Sequence, residues 1–199
     1  MAQMVDFSRL FVAVSLSEEV LDEAFNITLR LKRRLDYSSA KISWVKKDNL
    51  HFTLKFLGET PSENIGPVVE ALDEISANHQ PFKIRIQDAG CFPNSTRPRV
   101  LWLGLSEGAE KMKKLAAEVE NMMNLLEFAE EKRPFSPHLT IARVKSPGDP
   151  DFAGILEQMN GIGTNTCIVD HLTLFKSTLH PSGAVYDVIK RIMLGKGPM

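Results

Sequence analysis

Two stretches of this chain hold residue types suited to acid–base chemistry at one repeated spacing. The first is Asn49-Leu50-His51-Phe52-Thr53-Leu54-Lys55-Phe56-Leu57-Gly58-Glu59, and the second is Pro137-His138-Leu139-Thr140-Ile141-Ala142-Arg143. Each sets a His two residues before a Thr inside an apolar, β-prone run. Side chains on a strand alternate faces with period two, so His51 and Thr53 project together, as do His138 and Thr140. Phe52 and Leu54 point the other way. Imidazole exchanges protons near neutrality. A facing pair can act as base and acid in one displacement, one activating a nucleophile and one protonating a leaving oxygen. Phosphodiester cleavage needs both, with donors for the nonbridging phosphate oxygens. The hydroxyls of Thr53 and Thr140 are spaced to supply those donors.

A single match of this kind is weak. Five His and nine Thr in 199 residues would produce roughly 0.2 such pairs by chance. The third occurrence, His171-Leu172-Thr173, is expected to be a coincidence, because the matching strand of the first half has Ile84, Arg85 and Ile86. No carboxylate shares a strand face with either His, and neither His-x-His nor Cys-x-x-Cys occurs. That pattern argues against a two-metal phosphatase. There is no glycine-rich phosphate loop or dinucleotide fingerprint. Cys91 and Cys167 fit no metal spacing and make no disulfide framework. The expectation is an enzyme with no metal and no cofactor.

The elements that must hold these residues alternate along the chain. Strands are predicted over residues 9–16, 42–45, 50–57, 82–89, 100–105, 135–144, 166–176 and 184–193. Helices are predicted over 18–36, capped by Ser17, and over 63–78, 108–128 and 151–159. Residues 58–61 read as a break, 90–98 as a loop and 180–183 as a turn. The two halves, about 1–95 and 96–199, repeat one order of elements at offsets of roughly 84 to 90 residues. The strand at Leu10 matches that at Val100, His51 matches His138, and Phe82 matches Thr166. A single α/β domain of α+β type follows, with two similar lobes, strands exchanged between them, and equivalent strands brought to a shared groove.

Bulk properties narrow the partners. A net charge of −1 and a pI near 6.5 give no overall basic field for long nucleic acid. Apolar runs are too short to span a bilayer, and the first residues lack a signal-peptide layout. A cytosolic monomer with no membrane association is expected.

With these residues in view, the chain resembles the 2H phosphoesterase superfamily, and within it the RNA 2′,3′-cyclic phosphodiesterases, also called 2′-5′ RNA ligases. The resemblance runs through both His-x-Thr stretches, Arg9 to Val14, Gly90-Cys91-Phe92-Pro93, Pro98 to Trp102, and Ser177 through Gly183 to Tyr186. It implies a bilobal fold of two pseudo-symmetric lobes of antiparallel sheet plus helices. His51, Thr53, His138 and Thr140 would lie in the central cleft. It also implies metal-free opening of a terminal 2′,3′-cyclic phosphate, on RNA ends or small nucleotides, to a 2′-phosphate. Members of the family can also join ends through 2′-5′ linkages. His138 is expected to activate water and His51 to protonate the departing 3′-oxygen.

Two other functions stay open. One is a nucleotide- or RNA-end-binding module without turnover. The other is a 2′-5′ oligonucleotide or cyclic-nucleotide phosphodiesterase. Other residues keep two readings each. Strict alternation sets Arg143 opposite His138, so it is a solvated strand end or a substrate contact. Phe11 is core or a stacking platform for a base. Arg97 and Arg99 read as loop charge, His79 and His180 as surface turn residues.

Overall fold

A strand that reads apolar on both faces has to be covered on both sides, and the first strand is. The computed structural model describes residues 6–181 and 183–195. Ser182, inside the expected turn, lies outside the described residues. In order the elements are β1 (Phe7–Val14), α1 (Glu18–Leu35), β2 (Lys41–Trp44), β3 (Phe52–Pro61), α2 (Ile65–Asn78), β4 (Phe82–Phe92) and β5 (Val100–Glu107). They continue as α3 (Ala109–Leu125), β6 (Leu139–Ser146), α4 (Phe152–Glu157), β7 (Gly163–Val169), β8 (His171–His180) and β9 (Gly183–Met193). Leu10 to Val14 of β1 are all buried, because β1 is flanked by β3 and β8 and roofed by side chains on both faces.

Two antiparallel sheets form, in the orders β3-β1-β8-β9 and β2-β6-β5-β4-β7. Each draws strands from both halves of the chain. Set β2 aside and the orders correspond: β3 stands beside β1 as β6 stands beside β5. The two motif strands therefore occupy equivalent places in different sheets. They also approach each other, with Cα pairs within 8 Å. α2 and α3 pack together against the first sheet, while α1 and α4 pack on the second. Ser17 caps α1 as expected, its hydroxyl accepting from the Val20 N–H at 3.5 Å.

Several boundaries differ from the sequence pattern for physical reasons. Residues 58–61 do not end β3. Leu10 pairs with Gly58 and Phe11 with Phe56, leaving Leu57 as an extra residue. Gly58 takes φ 73° there, so the bulge lets the strand continue. β4 runs to Phe92, so the loop begins only at Pro93. The predicted strand over 166–176 is two strands, β7 and β8, broken at Asp170 and placed in different sheets. Residues 135–138 precede β6 rather than belonging to it. His79 is not a surface turn residue: its Nε2 lies 2.8 Å from Glu118 Oε2 of α3, tying the end of α2 down.

Candidate active site

Both histidines sit immediately before their strands, at the point where each chain enters its sheet. They are braced in the same way. His51 Nδ1 lies 2.9 Å from the Asn49 carbonyl oxygen, and His138 Nδ1 lies 2.7 Å from the Ser136 carbonyl oxygen. A carbonyl only accepts, so in both rings Nδ1 carries the hydrogen and a neutral ring presents a bare Nε2. The Thr53 hydroxyl donates to His51 Nε2 at 2.9 Å. His138 Nε2 takes no protein partner among the described residues.

The strands that follow are twins. Over Phe52 to Leu57 and Leu139 to Val144 the side chains run buried, half-buried, buried, buried, exposed, buried. Simple alternation cannot give that order; a bulge can. Ala13 pairs with Thr53 and Val12 with Lys55, so Leu54 is extra. Trp102 pairs with Thr140 and Leu101 with Ala142, so Ile141 is extra. Both bulges fall on the residue after the Thr. Beyond each, the strand resumes on the opposite phase. Arg143 pairs with Val100, which shares a face of β5 with Trp102, so Arg143 lies on the face of Thr140 and His138. It is exposed there. The alternation expected from sequence had set it opposite. Phe56 is its counterpart on β3, 64% exposed and on the face of Thr53.

The two imidazoles differ in their surroundings. His51 lies in an aromatic enclosure: Phe11 stacks on it at 4.9 Å, Tyr186 meets it edge-on at 5.3 Å, and Phe175 stands at 6.0 Å. Burial therefore lowers its pKa from 6.5 to about 4, with the Asn49 carbonyl opposing that in part. His51 is neutral at neutral pH. Phe11 is itself 2% exposed, packed beneath His51 and against Phe175 at 5.1 Å. It supports the ring rather than offering a free face.

Among the described residues His138 has one aromatic neighbour, Phe92, edge-on at 5.1 Å. Phe92 rests against Trp102 at 5.2 Å. A Cβ on Gly90 would lie 2.3 Å from the Trp102 ring, so only glycine lets the indole lie flat there. The segment entering His51 is also fixed. Asn49 donates through its side-chain amide to the Ala184 carbonyl at 2.8 Å, and Lys47 reaches Asp22 at 2.6 Å and Glu18 at 3.1 Å.

The structure gathers His51, Thr53 and Phe11 on one sheet, and His138, Thr140 and Arg143 on the other. Arg97 is an exposed loop residue, as is Arg99. Sequence reasoning assigned no role to Phe56, Phe92, Trp102, Phe175 or Tyr186. An aromatic residue signals core as readily as site, and only cross-strand register brings these to the histidines. His171 is hydrogen-bonded through Nδ1 to Asp170 Oδ1 at 2.6 Å, a contact with its chain neighbour. Among the described residues no cluster of three His, Cys, Asp or Glu side chains is arranged to hold a metal ion. No helix among them is long and apolar enough to cross a membrane.

Residues 20–102 and 103–186 each match the family model described as LigT like Phosphoesterase. The chain is 33% identical over 189 residues to the RNA 2′,3′-cyclic phosphodiesterase of Aquifex aeolicus (strain VF5), covering 94% of this chain and 97% of that relative. It is 36% identical over 182 residues to the protein of the same name from Archaeoglobus fulgidus, covering 92% and 98%. The crystal structure of TT0787 of Thermus thermophilus superposes with a TM-score of 0.78 at 28% identity, over 96% of this chain and all of that one. Two matched halves, twin bulged strands and relatives similar over nearly their whole lengths lead to one conclusion: the chain belongs to the LigT-like phosphoesterase family.

Proposed function

We propose that this protein hydrolyses 2′,3′-cyclic phosphates at RNA ends, or on small nucleotides, to 2′-phosphates. The observation that carries the reading is the twin construction of the two His-x-Thr sites, with the same carbonyl brace, burial order and bulge. The relatives' shared name, RNA 2′,3′-cyclic phosphodiesterase, supports the substrate class.

His51 is the general base. Its neutral ring and bare Nε2 suit proton abstraction, and this reverses the division of labour expected from sequence. The cyclic phosphate displaces the Thr53 hydroxyl from Nε2, and that hydroxyl turns to a nonbridging oxygen. Water then attacks phosphorus, giving its proton to His51 Nε2, while the bond from phosphorus to the 3′-oxygen breaks. His138 protonates that oxygen, leaving a 3′-hydroxyl and a 2′-phosphate. The anion itself raises the basicity of His51 by placing negative charge beside the ring. Thr140 donates to the second nonbridging oxygen, as Thr53 does to the first. Arg143, exposed on the same face, meets the substrate, and Phe11 acts from beneath His51. With a 5′-hydroxyl attacking phosphorus in water's place and the 3′-oxygen again leaving, the same groups would form a 2′-5′ linkage.

Both motifs come from one chain, so a single copy completes the site. We take the working form to be a cytosolic monomer.

The test is a substrate panel with product mapping. Nucleoside 2′,3′-cyclic phosphates and RNA oligomers ending in them should yield 2′-phosphates only. A 3′-phosphate product, or faster turnover of 3′,5′-cyclic nucleotides or 2′-5′ linked dinucleotides, overturns the assignment. Tight nucleotide binding with no turnover would make the protein a binding module.

A further inference from the structure

The bulge at Leu54 also decides where Lys55 goes. It turns Lys55 to the core side of β3, opposite Val12, where its side chain is 2% exposed. An ammonium so deeply buried is costly unless paired, and an apolar side chain of the same length would serve a core better. Lys55 is paired twice. Its Nζ donates to Glu120 Oε2 of α3 at 2.7 Å and to the Ala129 carbonyl at 2.9 Å. The other oxygen of the same carboxylate, Glu120 Oε1, accepts the Glu131 N–H at 2.9 Å. Burial works against the Glu120 charge, yet Lys55 and the Glu131 N–H hold its carboxyl below the usual range.

The location gives this pair its consequence. Residues 126–138 connect α3 to β6 without helix or strand of their own, and His138 ends that connection. Lys55 lies on the strand that His51 enters, four residues beyond it. The ion pair grips residues 129 and 131, midway along the connection. It thus joins the strand carrying one histidine to the segment delivering the other, across two sheets. Acid–base catalysis needs such groups held to fractions of an ångström.

We propose that Lys55 and Glu120 form a positioning pair that sets His138 against His51 by anchoring residues 129–131. It rests on the two-histidine reading above. It predicts a defect in turnover with substrate binding largely spared, because neither side chain touches substrate.

The experiment compares Lys55→Met, Glu120→Gln and the double variant with the unaltered protein. Amide hydrogen exchange is followed along the chain, urea unfolding reports stability, and kcat and KM are measured on a nucleoside 2′,3′-cyclic phosphate. In Lys55→Met, exchange over 126–138 should quicken by about 10-fold or more while β1 and α1 stay protected. kcat should fall by about 10- to 100-fold with KM within about threefold. The double variant should lose no more than Lys55→Met alone, since Met has already removed the contact between the two side chains and a Gln oxygen can still accept the Glu131 N–H.

A folded Lys55→Met with unaltered kcat and unaltered exchange over 126–138 overturns the proposal. So does exchange that rises evenly through the chain with kcat preserved, the mark of a merely stabilising pair. If Lys55→Met does not fold, Glu120→Gln, at a side chain 23% exposed, carries the same expectations. If the unaltered protein turns over no cyclic phosphate, the assigned function fails, and the exchange data alone still decide whether the pair anchors the segment.

Discussion

Burial of the His51 imidazole should make this protein less stable in acid. His51 is enclosed by Phe11, Phe175 and Tyr186, and its pKa drops from 6.5 to about 4 on folding. In the unfolded chain the ring takes its proton near 6.5. Between those values the unfolded state holds more protons, so lowering the pH favours unfolding. The contribution of a neutral His51 is complete above 6.5 and is lost as pH falls toward about 4. At about 1.4 kcal/mol per pH unit, the gap amounts to about 3 kcal/mol. That is a large share of the roughly 5–15 kcal/mol that hold a domain together. Urea unfolding of the unaltered protein and of His51→Gln, from about pH 7 to about pH 4, isolates this contribution. Carboxylates titrate in both proteins and cancel in the difference. The stability of the unaltered protein relative to His51→Gln should fall by about 3 kcal/mol across that range. A difference that stays flat with pH would refute the enclosure of a neutral ring, and with it the choice of His51 as base.

Other outcomes follow from the same geometry. His51→Ala and His138→Ala should each lower kcat by about 100-fold or more while remaining folded, and Thr53→Ala and Thr140→Ala should do less harm, as steady-state kinetics will register. Activity should survive exhaustive chelation; loss restored by one divalent ion would replace the two-histidine mechanism. Gly90→Ala forces a methyl group into the Trp102 ring and should cost about 1–3 kcal/mol in unfolding free energy. His171→Gln should keep most of its turnover and lose about 1 kcal/mol of stability with the Asp170 hydrogen bond, measured by the same two assays.

The His-x-Thr pairs are legible in the amino-acid order alone, because an unbroken extended chain puts residues two apart on one face. The helices are legible for a related reason: the apolar stripe from Val20 to Leu35 and the Ser17 cap are local signals that the sheet simply accepts. The phase of the chain beyond each Thr is not. Whether Leu54 and Ile141 are extra residues depends on how β1 and β5 lie beside them, and no local pattern records a partner's register. Those two one-residue displacements carry Arg143 to the face of His138 and turn Lys55 inward to Glu120. The break at Asp170 is hidden for the same reason, since β7 and β8 are both apolar and β-prone and differ only in which sheet receives them. The protonation state of His51 is further from reach still. Its imidazole is ordinary in sequence, and it is held neutral by Phe175 and Tyr186, which chain order places far away and the four-stranded sheet brings into contact.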